Sequence, residues 1–311
     1  MERLVLPAFA KVNLTLDVGI KRPDGYHEVL SVMQTIDLWD TLYFEKVPQG
    51  ITVSCPSPGV PSGPGNLVYR ALELLASSFP GGLRVEVRKR IPVAAGLGGG
   101  SSDAAAALKA ASFLYGLELS EEDLVSYAAR IGSDVPFFII GGTALARGRG
   151  EIITPLPEAF QLWLVLVNPG FGVSTKEVYS RYRLRGRKKK RTPALLTAIE
   201  QGDRRGFLDA LGNDLEEVVL SLYPEVGFWK QRLIDLGAEK AVVSGSGPTV
   251  FGVFPGEEEA EKARAELSRE NKLEVFLCKT VTREGIEQKT KQLMNTYQEN
   301  IKGRGGCSEG V

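Results

Sequence analysis

The sequence predicts an α+β protein of two domains, and three observations carry that prediction. The chain has 311 residues, 43% of them hydrophobic, which is more than one compact core usually needs. Its first half joins alternating, strand-like runs to an alanine-rich helical stretch. Its second half mixes helices with a separate strand pair, the makings of a smaller α+β sandwich. We place the break near residue 155, giving domains at 1–155 and 156–285 and a polar tail at 286–311.

Near the N-terminus AKVNLTLDVGI alternates polar and apolar residues, KRPDGYHE supplies a turn, and VLSVMQTIDL and TLYFEKV resume the pattern, so a meander of strands is expected. NLVYRALELLASSF has helical spacing behind Asn66, which can cap it. GLRVEVRKRIP reverts to a strand ending at Pro92, and a glycine loop follows directly. From Ser102 the alanine run is helical by propensity, and LSEEDLVSYAARIG forms a second helix, with Ser120 and Asp123 as an acidic capping box and Gly132 as its terminator. GGTALARG and EIITPL read as short strands before a buried one, QLWLVLVNPG.

Beyond that strand come STKEVYSRY, helical stretches to about Leu236, and a strand pair around AVVSGSGPTVFGVF. A charged helix, GEEEAEKARAELSREN, and a strand, LEVFLCKTV, complete the second half. The tail begins as a helix and ends glycine-rich, so partial disorder is expected there.

Lys plus Arg and Asp plus Glu both number 38, which removes any global electrostatic reason to expect nucleic acid or an anionic membrane as partner. Cys55, Cys278 and Cys307 are odd in number and widely spaced, and His27 is the only histidine. That composition argues against zinc and for a reducing, cytoplasmic setting. The opening MERLVLPAFAKVNL is charged at Glu2, Arg3 and Lys11, unlike a signal peptide, and no apolar run is long enough to span a membrane. Eight basic residues crowd Arg181 to Arg191 and read as a solvated loop.

The chemistry begins at PVAAGLGGGSSDAAAAL. A strand, a glycine loop and a helix in that order form a phosphate cradle, because N–H groups at a helix start attract anions and glycine lets them approach. The residues are Pro92, Val93, Ala94, Ala95, Gly96, Leu97, Gly98, Gly99, Gly100, Ser101 and Ser102. A Walker A loop requires a lysine before the serines, and there is none. A Rossmann fingerprint fails because Ser101 stands where the third glycine belongs, and no protein-kinase H-R-D or D-F-G follows.

Phosphoryl transfer also needs a cation near the moving group and a carboxylate near the acceptor hydroxyl. Lys11 and Asn13 share one face of a strand, which could equally be an ordinary half-exposed face. Asp134, in IGSDVPFFIIGG, is a single charge ahead of a dense apolar run, fit either to cap a turn or to take a hydroxyl proton in a partly dry site. Tyr26 and His27 offer a flat face and hydrogen bonds in a turn; SGSGPTV could be a plain hairpin.

The glycine loop resembles the P-x-x-x-G-L-G-[GS]-S-S-x-A motif of the GHMP kinase superfamily, which groups galactokinase, homoserine kinase, mevalonate kinase and phosphomevalonate kinase. The AKVNLTL, RPDGYH, DLWD, GSDVPFF and SGSGPTVFGVF segments are similar to the branch of that superfamily that acts on a cytidine-diphosphate-linked methylerythritol. The likeness runs from about residue 6 to about 280.

The resemblance implies a ribosomal-protein-S5-like β/α domain followed by a ferredoxin-like α+β sandwich. It implies ATP-dependent phosphorylation of the 2-hydroxyl of that substrate, in the non-mevalonate route to isoprenoid precursors. Lys11 and Asp134 would be the catalytic pair, with Asp134 as base or orienter, and Pro92 to Ser102 would bind ATP. The cytidine diphosphate part would be recognised by Tyr26 and His27, with Tyr179 as a second aromatic face and Asn13 and Thr175 nearby. Gly245 and Gly247 would close the cleft. Magnesium is expected with ATP, its protein ligands unassigned, and the protein is expected to be a monomer or weak homodimer. Two alternatives remain at this point: another GHMP kinase of the mevalonate or homoserine class, and an inactive nucleotide-binding regulator.

Overall fold

Runs of β-branched and aromatic residues favour extended backbone, and the N-terminal third obeys them. The computed structural model describes residues 2–158, 160–183 and 190–305. In it β1 (Arg3–Lys21) and β2 (His27–Val47) pair antiparallel along most of their length around the turn at Asp24 and Gly25. Then come β3 (Gly50–Ser54), α1 (Leu67–Leu75), β4 (Gly82–Arg88), α2 (Gly99–Tyr115), α3 (Glu121–Ile131), α4 (Val135–Ile140), β5 (Thr143–Arg147) and β6 (Ile152–Pro155).

The second half contains β7 (Trp163–Asn168), α5 (Thr175–Arg181), α6 (Arg191–Gln201), α7 (Arg204–Ala210), β8 (Gly212–Asn213), α8 (Glu216–Leu222) and α9 (Pro224–Asp235). It closes with β9 (Lys240–Val243), β10 (Val250–Phe254), α10 (Glu257–Leu267), β11 (Glu274–Lys279) and α11 (Arg283–Gly305). The first sheet runs β3-β4-β2-β1-β8, with β5 added to β2 and β6 to β5; the second runs β11-β7-β10-β9 and is antiparallel throughout. Taken in chain order within its own sheet, the second arrangement is 4-1-3-2, the ferredoxin-like order expected.

Apolar residues gather in three cores. Leu4, Leu6 and Ala8 of β1 pack with α1 and α2, whereas Ala10, Val12 and Leu14 pack with Leu164, Leu166 and Phe251 of the second sheet. The pairing register of β1 and β2 shifts between Phe9 and Ala10, where the strand passes from one core to the other. The third core lies among α8, α9, α10 and the second sheet. A single strand therefore belongs to both halves.

Several boundaries differ from the sequence reading, each for a local reason. The strand expected to end at Pro92 ends at Arg88, because the Arg90 and Ile91 N–H groups donate to Asp40 Oδ1 (2.5 and 2.8 Å). The helix expected from Ser102 begins at Gly99, with the Ser102 N–H bonded to the Gly98 carbonyl. VPFFII, read only as an apolar run, is α4, with Pro136 in its first turn, where a missing N–H costs nothing.

Of the tail expected at 286–311, residues 286–305 continue α11, and Met294 and Tyr297 pack back onto the N-terminal half, the latter 5.5 Å from the Tyr43 ring. Residues 306–311, with Cys307, and residues 184–189 of the basic segment lie outside the described residues. Among the described residues, no helix is long and apolar enough to cross a membrane.

The capping box at Ser120 is present in full: Ser120 Oγ accepts the Asp123 N–H, and the Asp123 carboxylate accepts the Ser120 N–H at 2.9 Å. Ser120→Ala should therefore lower stability by about 1 kcal/mol in a urea titration, with substrate turnover unchanged.

Candidate active site

Both domains hold the glycine loop. The Lys11 N–H of β1 donates to the Leu97 carbonyl at 3.0 Å, and Ser244 Oγ, on the loop between β9 and β10, donates to the Gly96 carbonyl at 3.0 Å. A Cβ at Gly96 would lie 2.2 Å from the Ser244 carbonyl oxygen, and one at Gly98 would lie 2.5 Å from Phe138 Cζ. With φ near +80° and +74°, both positions are also backbone conformations that other residues rarely adopt. The first N–H groups of α2, which a helix cannot satisfy internally, open onto a cavity of about 410 Å³. Pro92 to Gly96 and Gly98 to Ser101 line it. Leu97 is buried in the core shared by the two sheets, and Ser102 faces a smaller neighbouring cavity.

Lys11 and Asn13 do share a face, and it is not a half-exposed one. Lys11 Nζ donates to Asn13 Oδ1 at 2.6 Å, and Asn13 Nδ2 donates to Ser31 Oγ at 2.8 Å. Lys11 Nζ also lies 3.6 Å from Asp134 Oδ2, with side-chain exposures of 4% and 36%. A buried ammonium thus faces a half-open carboxylate. Asp134 sits at the N-terminus of α4 without capping it through its side chain, and it lines the cavity.

The remaining predicted residues divide. Asn13, Thr175, Tyr179 and Gly245 line the same cavity, and Thr175 Oγ1 and Ser246 Oγ share a hydrogen bond of 2.8 Å. Tyr26, His27 and Gly247 are not among its lining residues. The His27 ring packs 5.6 Å from Tyr179, and burial together with the Lys21 charge lowers its pKa. Tyr26 is 53% exposed, with the Arg149 guanidinium 5.1 Å over its ring, and Arg149 does line the cavity. Burial, aided by the Asp134 charge, pushes the Tyr179 hydroxyl well above its ordinary range, so it stays protonated. Gly247 packs against Val219 and Val243.

The sequence reading missed a buried charge cluster at the cavity's edge. Lys89 Nζ donates to Asp40 Oδ2 at 2.5 Å and to Asp103 Oδ2 at 2.7 Å, all three side chains being at most 7% exposed. Burial pushes Asp103 up to about 7; Lys89 opposes that shift and Asp40 adds to it. Asp103 Oδ1 has no hydrogen-bond partner. One signal was present: an aspartate inside an alanine run, where nothing in helix propensity asks for a charge.

The description "GHMP kinases N terminal domain" matches residues 66–142, and "GHMP kinases C terminal" matches residues 195–273. The 4-diphosphocytidyl-2-C-methyl-D-erythritol kinase of Moorella thermoacetica is 48% identical over 273 residues, 86% of this chain and 95% of that one. A crystal structure of 4-(cytidine 5'-diphospho)-2C-methyl-D-erythritol kinase superposes with a TM-score of 0.76 at 36% identity, covering 89% of this chain and all of that one. Homoserine kinase from Cytophaga hutchinsonii reaches a TM-score of 0.73 at 19% identity, over 91% of this chain and 95% of that one, a likeness of fold alone.

Removing the cation of the cluster leaves two buried carboxylates facing each other. Lys89→Met should cost about 3–5 kcal/mol by denaturant titration at pH 7.5. Without Lys89 the folded carboxyls bind protons more readily than unfolded ones, so stability falls as pH rises; the deficit should shrink towards pH 5.

Proposed function

The chain belongs to the 4-diphosphocytidyl-2-C-methyl-D-erythritol kinase family of the GHMP kinases, and from that membership we propose that it transfers the γ-phosphoryl group of ATP to the 2-hydroxyl of 4-diphosphocytidyl-2-C-methyl-D-erythritol. The reaction belongs to the non-mevalonate route to isoprenoid precursors. The observation that carries this reading is the buried Lys11 ammonium, set 3.6 Å from Asp134 in the cavity that the glycine loop lines.

The cradle suits a triphosphate, since the first N–H groups of α2 open onto the cavity that Gly96, Gly98, Gly99 and Gly100 line. Bound there, ATP would supply the phosphoryl group, and magnesium bound with it would supply the positive charge that offsets its phosphates. Among the described residues, no group of three or more His, Cys, Asp or Glu could hold a metal on its own, and we assign the ion no protein ligand. The N-terminal domain, residues 1–155, holds the nucleotide. Residues 156–285 close the acceptor side, Gly245 against Lys11 and Asn13 and Gly247 as the packed end of the same turn.

The acceptor's 2-hydroxyl oxygen attacks the γ-phosphorus while its proton passes to the Asp134 carboxylate. The bond to the bridging oxygen breaks, and ADP leaves with the electron pair. Lys11 stabilises the negative charge shared by the transferred oxygens, and Asn13 fixes its ammonium from the other side. The cytosine stacks between Tyr26 and Tyr179, with Thr175 beside the diphosphate and His27 setting the Tyr179 ring. Supporting this, the Tyr26 ring is exposed on one side and backed by Arg149, a cation suited to the diphosphate. The enzyme works in the cytoplasm as a monomer or weak homodimer, without nucleic acid or membrane.

The mevalonate and homoserine classes share the fold at 20% identity or less, whereas the cytidylyl kinase relative is 48% identical. ADP release measured with ATP, Mg²⁺ and either the cytidylyl methylerythritol, mevalonate or homoserine decides among them; turnover confined to the first is expected, and its absence would overturn the reading. Asp134→Asn should fold normally and lose about 10³-fold in kcat. Tyr26→Ala should raise KM for the cytidylyl substrate about tenfold with kcat and the KM for ATP little changed, in line with the loss of one stacking face.

A further inference from the structure

Helix α2 carries a partly buried cation, Lys109, whose acceptor is a backbone carbonyl, not a carboxylate. Lys109 Nζ donates to the Phe138 carbonyl at 2.9 Å. That carbonyl is among the last four of α4, which the helix leaves without an intrahelical donor. A positive charge there also meets the negative end of the helix.

Phe138 joins two parts of the site. Its ring is the surface that Gly98 of the glycine loop touches, and its own helix begins one residue after Asp134. Only six residues long, α4 has little stiffness of its own. Beside it lies a cavity of about 70 Å³ lined by Lys109, Phe138, Thr35, Ser102, Gly141 and Ile286, and Thr35 Oγ1 is buried with no partner. The helix has space to shift if its tether is released.

We propose that Lys109 is a positioning residue for phosphoryl transfer: by holding the Phe138 carbonyl it fixes α4, and so sets the Asp134 carboxylate against Lys11 and the glycine loop. The proposal rests on the kinase reading above. The charged groups facing Lys109 are Glu121 of α3 and Arg283 and Glu287 of α11, and Arg283 is itself paired with Glu121 at 2.6 Å. Burial nevertheless dominates and lowers the Lys109 pKa to about 8. The tether therefore weakens in mildly alkaline solution.

Three measurements on the full-length protein test this, using ATP and the cytidylyl methylerythritol. Wild-type kcat should fall on the alkaline side with a midpoint near pH 8, while KM for each substrate stays within threefold. Stability should move the other way over that range: the unfolded chain, with Lys109 near its ordinary 10.5, binds more protons than the folded one, so folding gains as pH rises. A lysine that served folding alone would not lower kcat while stability rose.

Lys109→Met should lose tenfold or more in kcat at pH 7.5 with both KM values within threefold. Lys109→Arg, whose charge persists, should recover kcat to within threefold and lack the fall near pH 8. A wild-type profile flat across pH 8, a Lys109→Met kcat within twofold of wild type, or a Lys109→Arg profile that keeps the same midpoint would each overturn the proposal. If Lys109→Met does not fold, the wild-type and Lys109→Arg profiles decide alone. Wild-type turnover on this substrate is read independently, so the kinase reading stands or falls separately.

Discussion

The burial of Lys11 is the constraint around which the molecule is arranged. An ammonium taken out of water is penalised by several kcal/mol unless its protons and charge find partners. Here Asn13 Oδ1 accepts a hydrogen bond from the ammonium at 2.6 Å and Asp134 supplies the opposite charge at 3.6 Å. Both partners must come from fixed places: Asn13 from the same strand face, Asp134 from the start of a short helix behind it. The backbone of Lys11 is occupied as well, holding the Leu97 carbonyl of the glycine loop. One residue thus ties the phosphate cradle, the carboxylate and the central strand into a single unit, and displacement of any one of them disturbs the other two.

That unit needs both domains. The loop's carbonyls at Ala94, Ala95 and Gly96 accept bonds from Val173, Thr249 and Ser244 of the second half. The turn that meets the loop is itself braced, since Asn213 Nδ2 donates to the carbonyls of Val243 and Gly245. Asn213 belongs to β8, which pairs with β1. Asp17 of β1 completes the link by accepting the Arg191 and Thr192 N–H groups at the start of α6. The cleft between the domains is built from polar bonds that the two halves make to each other, and this rigidity suits chemistry that depends on positioning and charge more than on covalent steps.

Much of this was legible in the sequence, for reasons of range. The Asn66 cap, the capping box at Ser120, the period-two placement of Lys11 and Asn13, and the glycine loop all act within a few residues of chain, where spacing carries the geometry. What was not legible acts at a distance or at small scale. Lys89 meets Asp40 across 49 positions, and no local pattern announces such a pair. The six residues of α4 were invisible because VPFFII has β-branched and aromatic composition that favours strand; tertiary packing on α2 and α3 overrides it. The end of β4 moved for the same kind of reason, since Asp40 draws the Arg90 and Ile91 N–H groups away from the ladder.

The charge cluster and the Lys11–Asp134 pair are alike in construction, yet they differ where it matters. Lys89 is shared by two buried carboxylates, so its charge is fully occupied and the cluster serves to lock β2, α2 and the segment after β4 together. Lys11 has one amide and one carboxylate that is 36% exposed, which leaves part of its field directed into the cavity. In a site walled by protein, that field acts at a lower effective dielectric than in water, so an ammonium a few ångströms from a phosphoryl oxygen is worth several times its value in solution. Lys89 and Lys11 therefore differ in how completely their partners neutralise them, which suits the first to a structural task and the second to the catalytic one proposed.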